Sequence, residues 1–333
     1  MLTPIPPGAR RLLLIAVALC ASNAAAVERP VATYSIVARD SATGQLGVAV
    51  QSHWFSVGPI VPWAEAGVGA IATQSLVKID YGPEGLERLK AGQSPQAALE
   101  AMLAADSGRA VRQVAIVDAQ GRVAAHTGSK CIAHAGHITG EAFSVQANLM
   151  EDSTVPRAMA QAYHENSSRP FAERLLAALV AAEGEKGDIR GRQSAAMLIV
   201  DGQTHEKPWQ GKVLELRIED HPAPLEELAR ILRIANAYDF MNRGDLFAEK
   251  QMWDSAAWAY GSAEQIAPEI VELPFWHAVT LASAGRVDDA LPIFRRVFAA
   301  EPQRWLPLID RLVPSGLLPN DPALVARIKS VAP

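Results

Sequence analysis

Thr33-Tyr-Ser-Ile-Val-Ala-Arg39 and Leu46-Gly-Val-Ala-Val-Gln-Ser52 are two seven-residue runs of β-formers, joined by the polar stretch Asp40-Ser-Ala-Thr-Gly-Gln45. Gly44 in that connection supplies the conformational freedom of a turn, so the pair reads as a β-hairpin. Gly67-Val-Gly-Ala-Ile-Ala-Thr73 reads as a third strand, its glycines marking close backbone approach. The apolar period then changes. Leu86, Leu89, Ala97, Ala98, Met102 and Leu103 fit two amphipathic helices over 83–104, parted at Gly92 and Ser94-Pro95. Residues 113–117 and 122–125 flank Asp118-Ala-Gln-Gly121 as a second hairpin, a Gly- and His-rich loop follows, and 142–146 reads as a strand. Residues 155–183 give two helices divided around Ser167–Pro170, and 195–200 and 213–218 complete the strands. Grouped strands followed by grouped helices indicate an α+β fold with mainly antiparallel sheets, not a doubly wound parallel sheet.

The Glu219-Asp-His-Pro-Ala-Pro224 stretch ends this pattern, and the remainder is helical. Asp254, Ala256, Tyr260 and Pro268 recur as Asp288, Ala290, Phe294 and Pro302, each 34 residues later. That is the tetratricopeptide period, so an all-α tetratricopeptide-like domain is expected over 236–333, following a first domain over 33–235. The aromatics Trp253, Trp258, Tyr260, Phe275, Trp276, Phe294 and Trp305 are expected in its core.

The 333 residues are 49% hydrophobic and 20% charged, enough for a substantial core, and the net charge of −5 with no basic block excludes nucleic acid as a partner. Arg10 and Arg11, the apolar run Leu12–Ala21 and Ala24-Ala25-Ala26 read as a signal peptide over 1–26. The apolar run is too short for a stable membrane span. Cleavage after Ala26 takes the charge from −5 to −7, removes Cys20 and leaves Cys131 as the sole thiol. A periplasmic or secreted location is therefore expected.

Thr33–Asp40, Gly47-Val-Ala-Val50, Gly67–Ala70 with Ala72-Thr-Gln74, Arg112-Gln113, His126-Thr-Gly128 with Cys131, Gly136-His137 and Gly191-Arg-Gln-Ser-Ala195 together resemble the domain of unknown function 1028 (DUF1028) family. Its members resemble N-terminal-nucleophile (Ntn) hydrolases. The resemblance spans about Thr33 to Leu232 and implies a four-layer αββα sandwich. It also implies an amidohydrolase whose first residue is the nucleophile and whose own α-amine is the general base. An α-amine with a pKa of roughly 7.7–8.0 is partly unprotonated near neutrality.

Thr33 is the position indicated as catalytic. Cleavage after Ala26 leaves Val27–Ala32 ahead of it, so a second cut at Ala32–Thr33 is required; otherwise Thr33 is an ordinary strand residue. Ser52 lies across the hairpin and could polarise Thr33, or make a strand-end hydrogen bond. Gln51 stands where proteasome-like Ntn proteins carry an acid. Ser35, Gln74, Gln146 and Asn148 are candidates for oxyanion or substrate binding. In Asp188-Ile-Arg190-Gly-Arg192, either arginine could take a substrate carboxylate, or could pair with Asp188 and hold the loop.

His126, Cys131, His134 and His137 include a Cys-x2-His-x2-His spacing that invites zinc. The spacing matches no familiar finger or ribbon, so no metal and no cofactor is assigned. The leading expectation is an exported hydrolase acting on a peptide-like or amide substrate; relatives with cell-wall-binding appendages point to a peptide or muropeptide amide. The other is a non-catalytic adaptor that recognises a protein partner through the helical tail.

Overall fold

The computed structural model describes residues 33–333. The signal peptide expected over 1–26 and the residues that follow it up to Thr33 lie outside the described residues. The chain divides into two units between Glu215 and Leu216, a boundary that falls inside the last strand of the first unit's sheet.

In the first unit, β1 (Thr33–Arg39) and β2 (Leu46–Ser52) form the expected hairpin, with Thr33 opposite Ser52 and Arg39 opposite Leu46. The remaining strands are β3 (Pro62–Glu65), β4 (Gly69–Ser75), β5 (Arg112–Asp118), β6 (Val123–Thr127), β7 (Gly136–Gly140), β8 (Phe143–Asn148), β9 (Ser194–Val200) and β10 (Lys212–Ile218). One sheet runs β10-β9-β2-β1-β8-β7 and the other β3-β4-β5-β6, giving the mixed α+β architecture with antiparallel sheets. Two edge strands, β3 and β7, lie outside the strands expected from sequence. β3 has only four residues and opens with proline, while β7 is Gly-His-Ile-Thr-Gly and largely exposed, so neither has the buried apolar alternation of a core strand.

The period of two sorts each strand between its faces. Val37, Val48 and Val50 meet Ala70, Ala72, Ala115 and Val117 between the sheets. On the outer side of the second sheet, Ile71, Val114 and Ile116 pack with Leu86, Leu99 and Met102 from α1 (Tyr81–Lys90) and α2 (Pro95–Ala104). The Ser94 side chain caps α2 by accepting from Ala97 N, and Pro95 occupies the first turn. The first sheet's outer face takes α3 (Val155–Glu165) and α4 (Phe171–Gly184). A Cβ at Gly47 would lie 2.8 Å from Leu175 Cδ1 and 2.9 Å from Phe171 Cε1, so any larger residue there would push these helix side chains aside. Helix, sheet, sheet and helix layers thus follow one another.

In the second unit, α5 (Pro224–Glu249) is followed by α6 (Trp253–Ile266), α7 (Glu272–Ser283) and α8 (Val287–Ala300), then short helices. The 235/236 division read from sequence falls within α5. Asp254 and Asp288 sit in the first turns of α6 and α8, and the related Ala256/Ala290 and Tyr260/Phe294 pairs are buried. Tyr260, Phe275, Phe294 and Trp305 are core residues as expected, but Trp258 is 55% exposed: it packs edge-on to Phe240 and under the Arg243 guanidinium. Among the described residues no helix is long and apolar enough to cross a membrane.

Candidate active site

At one end of the space between the sheets the alanines and valines give way to amides and hydroxyls. Thr33, Ser35, Ser52, Gln74, Gln113 and Gln146 have no exposed surface, and Asn148 has 1%. Alternation places them there: Thr33 and Ser35 lie on the same face of β1 as Val37, and Ser52 on the same face of β2 as Val50. Pairing aligns the ends, since Thr33 stands between Ser52 on β2 and Asn148 on β8.

Thr33 Oγ1 donates to Ser52 Oγ at 3.1 Å. The Thr33 carbonyl accepts from Gln74 Nε2 at 3.2 Å and from Asn148 Nδ2 at 3.4 Å. Gln113 connects these two amides, its Oε1 accepting from Gln74 Nε2 at 2.7 Å and Asn148 Nδ2 at 2.9 Å. On the other side, Gln113 Nε2 faces the main-chain oxygens of Ala147 (2.9 Å) and Gly136 (3.1 Å) and the Thr127 hydroxyl (2.9 Å). Main-chain oxygens can only accept, so the orientation of the Gln113 amide is determined, and those of Gln74 and Asn148 follow from it.

The same directionality continues through Ser35. Ser144 Oγ donates to Gln146 Oε1 at 3.0 Å, Gln146 Nε2 to Ser35 Oγ at 2.6 Å, and Ser35 Oγ to Gln74 Oε1 at 2.6 Å. Buried polar groups with partners of this kind specify a single arrangement, whereas an unmatched one is costly. The amide N–H groups of Gln74, Gln146 and Asn148 therefore point to protein oxygens. Gln74 and Asn148 hold the Thr33 carbonyl, and Gln146 donates to Ser35.

The Asp188 loop closes the same sheet end. Asp188 Oδ2 accepts from His53 N, the residue after Ser52, at 3.1 Å, and Met150 forms a bridge with Asp188. Arg190 forks onto Asp188, Nε to Oδ1 at 3.1 Å and Nη2 to Oδ2 at 2.9 Å, so its pairing is the loop-holding alternative. Arg192, 48% exposed along its side chain, instead pairs with Glu183 at 3.0 Å. Glu183 also accepts from the Tyr34 hydroxyl at 2.6 Å, and burial first, then the Glu183 charge, holds that phenol well above its ordinary pKa. Gln51 lies on the helix-facing side of β2, away from Thr33, and its buried amide has no hydrogen-bond partner. Alternation alone removes it from any relay through Ser52.

The His- and Cys-bearing segment does not converge on a point. His126 Nε2 contacts Arg109 O at 2.9 Å, His137 Nδ1 contacts the Thr127 hydroxyl at 2.8 Å, and Cys131 Sγ donates to Arg112 O at 3.3 Å. His134 is exposed, and among the described residues no group of three or more His, Cys, Asp or Glu could hold a metal ion. Burial pushes the Cys131 thiol up, the opposite of an activated thiolate. His137 is held below the ordinary histidine value by the covering of its ring and by neighbouring His126.

Gln113 and Thr127 are absent from the candidate residues read from sequence, although both stand in segments quoted there. A glutamine opening a valine-rich strand carries no mark of connecting two sheets until strand pairing is known.

Residues 33–228 match the model of a family described as a family of unknown function, DUF1028. The crystal structure of protein SPO2555 from Silicibacter pomeroyi, described with the same family, is similar at 34% identity and a TM-score of 0.54. The similarity covers 62% of this chain and 89% of that one. No curated protein matches.

Proposed function

This chain belongs to the DUF1028 family of unknown function, and on that premise we propose that it is an exported Ntn-type amidohydrolase with Thr33 as nucleophile. The observation that carries this reading is the placement of Thr33 at the start of β1, with its hydroxyl on Ser52 and its carbonyl held by Gln74 and Asn148. The helix–sheet–sheet–helix layering supports an Ntn-like sandwich.

Cleavage of the Ala32–Thr33 bond gives Thr33 a free α-amine. That amine takes the Oγ proton as Oγ bonds to the substrate's amide carbon. Collapse of the tetrahedral intermediate breaks the C–N bond, and the proton returns to the departing nitrogen. Water then attacks the Thr33 ester, the amine accepts the water's proton, and the acid leaves as Oγ regains a hydrogen. Ser52 orients the hydroxyl throughout. No cofactor takes part, and the substrate is a peptide-like amide.

Expression with export, followed by intact-mass measurement and N-terminal sequencing, tests the processing. The expected mature chain begins at Thr33. A preparation that begins at Val27 and hydrolyses amides through another residue overturns the reading.

An adaptor role for the second unit has its own supporting observation. Trp258 (55% exposed) presents apolar surface on α6, whose Asp254, Ala256 and Tyr260 have counterparts 34 residues later in α8, as in a tetratricopeptide-like array, and Leu246 (54%) presents it on the preceding α5. Unchanged recovery of a protein partner after Trp258→Ala would count against this surface.

A further inference from the structure

An N-terminal nucleophile needs its hydroxyl and amine in one fixed relation, yet a first residue is held by the chain on one side only. In this site side chains supply that restraint. The Thr33 carbonyl receives hydrogen bonds from Gln74 and Asn148, and both nitrogens also donate to Gln113 Oε1. Gln113 in turn is anchored through Nε2 to the main chain of β7 and β8, at Gly136 O and Ala147 O. Next to it, Arg112 pairs with Asp106 at 2.9 Å and donates to Leu76 O, fixing the start of β5.

We propose that Gln113 is a positioning residue for the Thr33 nucleophile, acting through Gln74 and Asn148; this rests on the Ntn reading above. Clamping the Thr33 carbonyl at two points fixes its peptide plane, and with the hydroxyl also held this limits rotation about the Cα–C and Cα–Cβ bonds and hence the direction in which the α-amine leaves β1. The Ser52 contact fixes the hydroxyl. Together they hold base and nucleophile in register for proton transfer, where displacement of about 1 Å can cost roughly 100-fold in rate. Gln113 touches neither substrate nor the reacting atoms, so its effect falls on the chemical step and not on binding.

The test uses the chain beginning at Thr33 and an electrophilic β-lactone, with acylation followed by intact mass and mapped by fragmentation. The lactone ring opens as its carbonyl carbon bonds to Thr33 Oγ; the Oγ proton goes to the alkoxide that leaves. Gln113→Leu should lower the limiting acylation rate roughly 10- to 100-fold while changing the half-saturating lactone concentration by less than about 3-fold. Gln113→Glu keeps an acceptor for Gln74 and Asn148 but, when ionised, offers no donor to Gly136 O and Ala147 O. Its rate relative to wild type should therefore rise as pH falls and the carboxyl protonates, while the Gln113→Leu ratio stays flat.

Acylation of folded variants at the wild-type rate, or a loss confined to half-saturation, overturns the positioning role. So does failure of both variants to fold, which would make Gln113 purely structural. Wild-type protein left unacylated at Thr33 instead removes the nucleophile reading itself, a result distinct from equal labelling of wild type and variants.

Discussion

The space between the two sheets has two ends built on different physics. At one, Val37, Val48 and Val50 face Ala70, Ala72, Ala115 and Val117. At the other, equally buried, Thr33, Ser35 and Asn148 face Gln74 and Gln113. The apolar end is stabilised by burial, which is non-directional and tolerates repacking. The polar end gains little net energy from each hydrogen bond, because the same groups bond to water in the unfolded chain. What it gains is direction: each amide has one orientation that satisfies its neighbours. The contrast separates a half that holds the sheets together from a half that holds Thr33.

The largest effect expected on that contrast is loss of function without loss of fold. Thr33→Ala should eliminate covalent labelling while the chain still folds, with a stability loss of about 1–3 kcal/mol from the truncated buried side chain and its lost hydrogen bond to Ser52, as read by mass spectrometry and circular dichroism. Val48→Ala, at the apolar end, should do the reverse. It should cost about 2–3 kcal/mol of stability in urea titration, through lost burial and the cavity left behind, while labelling persists below the transition.

Ser35→Ala should fall between these extremes. It leaves Gln74 Oε1 and Gln146 Nε2 without their 2.6 Å partner, a buried mismatch of about 1–3 kcal/mol measurable by the same titration. A stability change near zero would show that the directional chain through Ser35 has no energetic weight.

Acidification should act more mildly, through His137. Its folded-state pKa is lowered by the covering of its ring and by His126. Below the unfolded value of about 6.5 the unfolded chain therefore binds more protons, and stability falls as pH drops. The fall ends once pH passes the folded value, and above about 6.5 the contribution is flat. His137→Gln should remove this component when urea midpoints at pH 5 and pH 7 are compared. The smallest effect belongs to Arg192→Ala, since its ion pair with Glu183 is half exposed and is worth at most about 1 kcal/mol.

The strands with alternating or continuous apolar character were legible in the sequence, as were the helix pairs divided at Ser94-Pro95 and Ser167–Pro170. Local chemistry marks these elements: β-branched runs, a serine cap, prolines at helix starts. β7 was missed because a short exposed edge strand has no such mark. At the site, Thr33, Ser52, Gln74, Gln146 and Asn148 were named and come together. The roles of the amides were not legible, because which oxygen an amide faces depends on partners up to 115 residues away. Gln113 carries no local mark for the same reason. Trp258 resembles its buried neighbours in sequence but stands 55% exposed, edge-on to Phe240 of α5.

Periodate offers the most direct measurement of whether a hydroxyl and a free amine share Thr33, because it cleaves a vicinal amino alcohol and converts an N-terminal threonine to a glyoxylyl group with release of acetaldehyde and ammonia. For the proposed mature hydrolase, the account predicts conversion at Thr33 with amide hydrolysis lost in step. Full hydrolysis after periodate, from a chain in which Thr33 is still joined to Ala32, would contradict it.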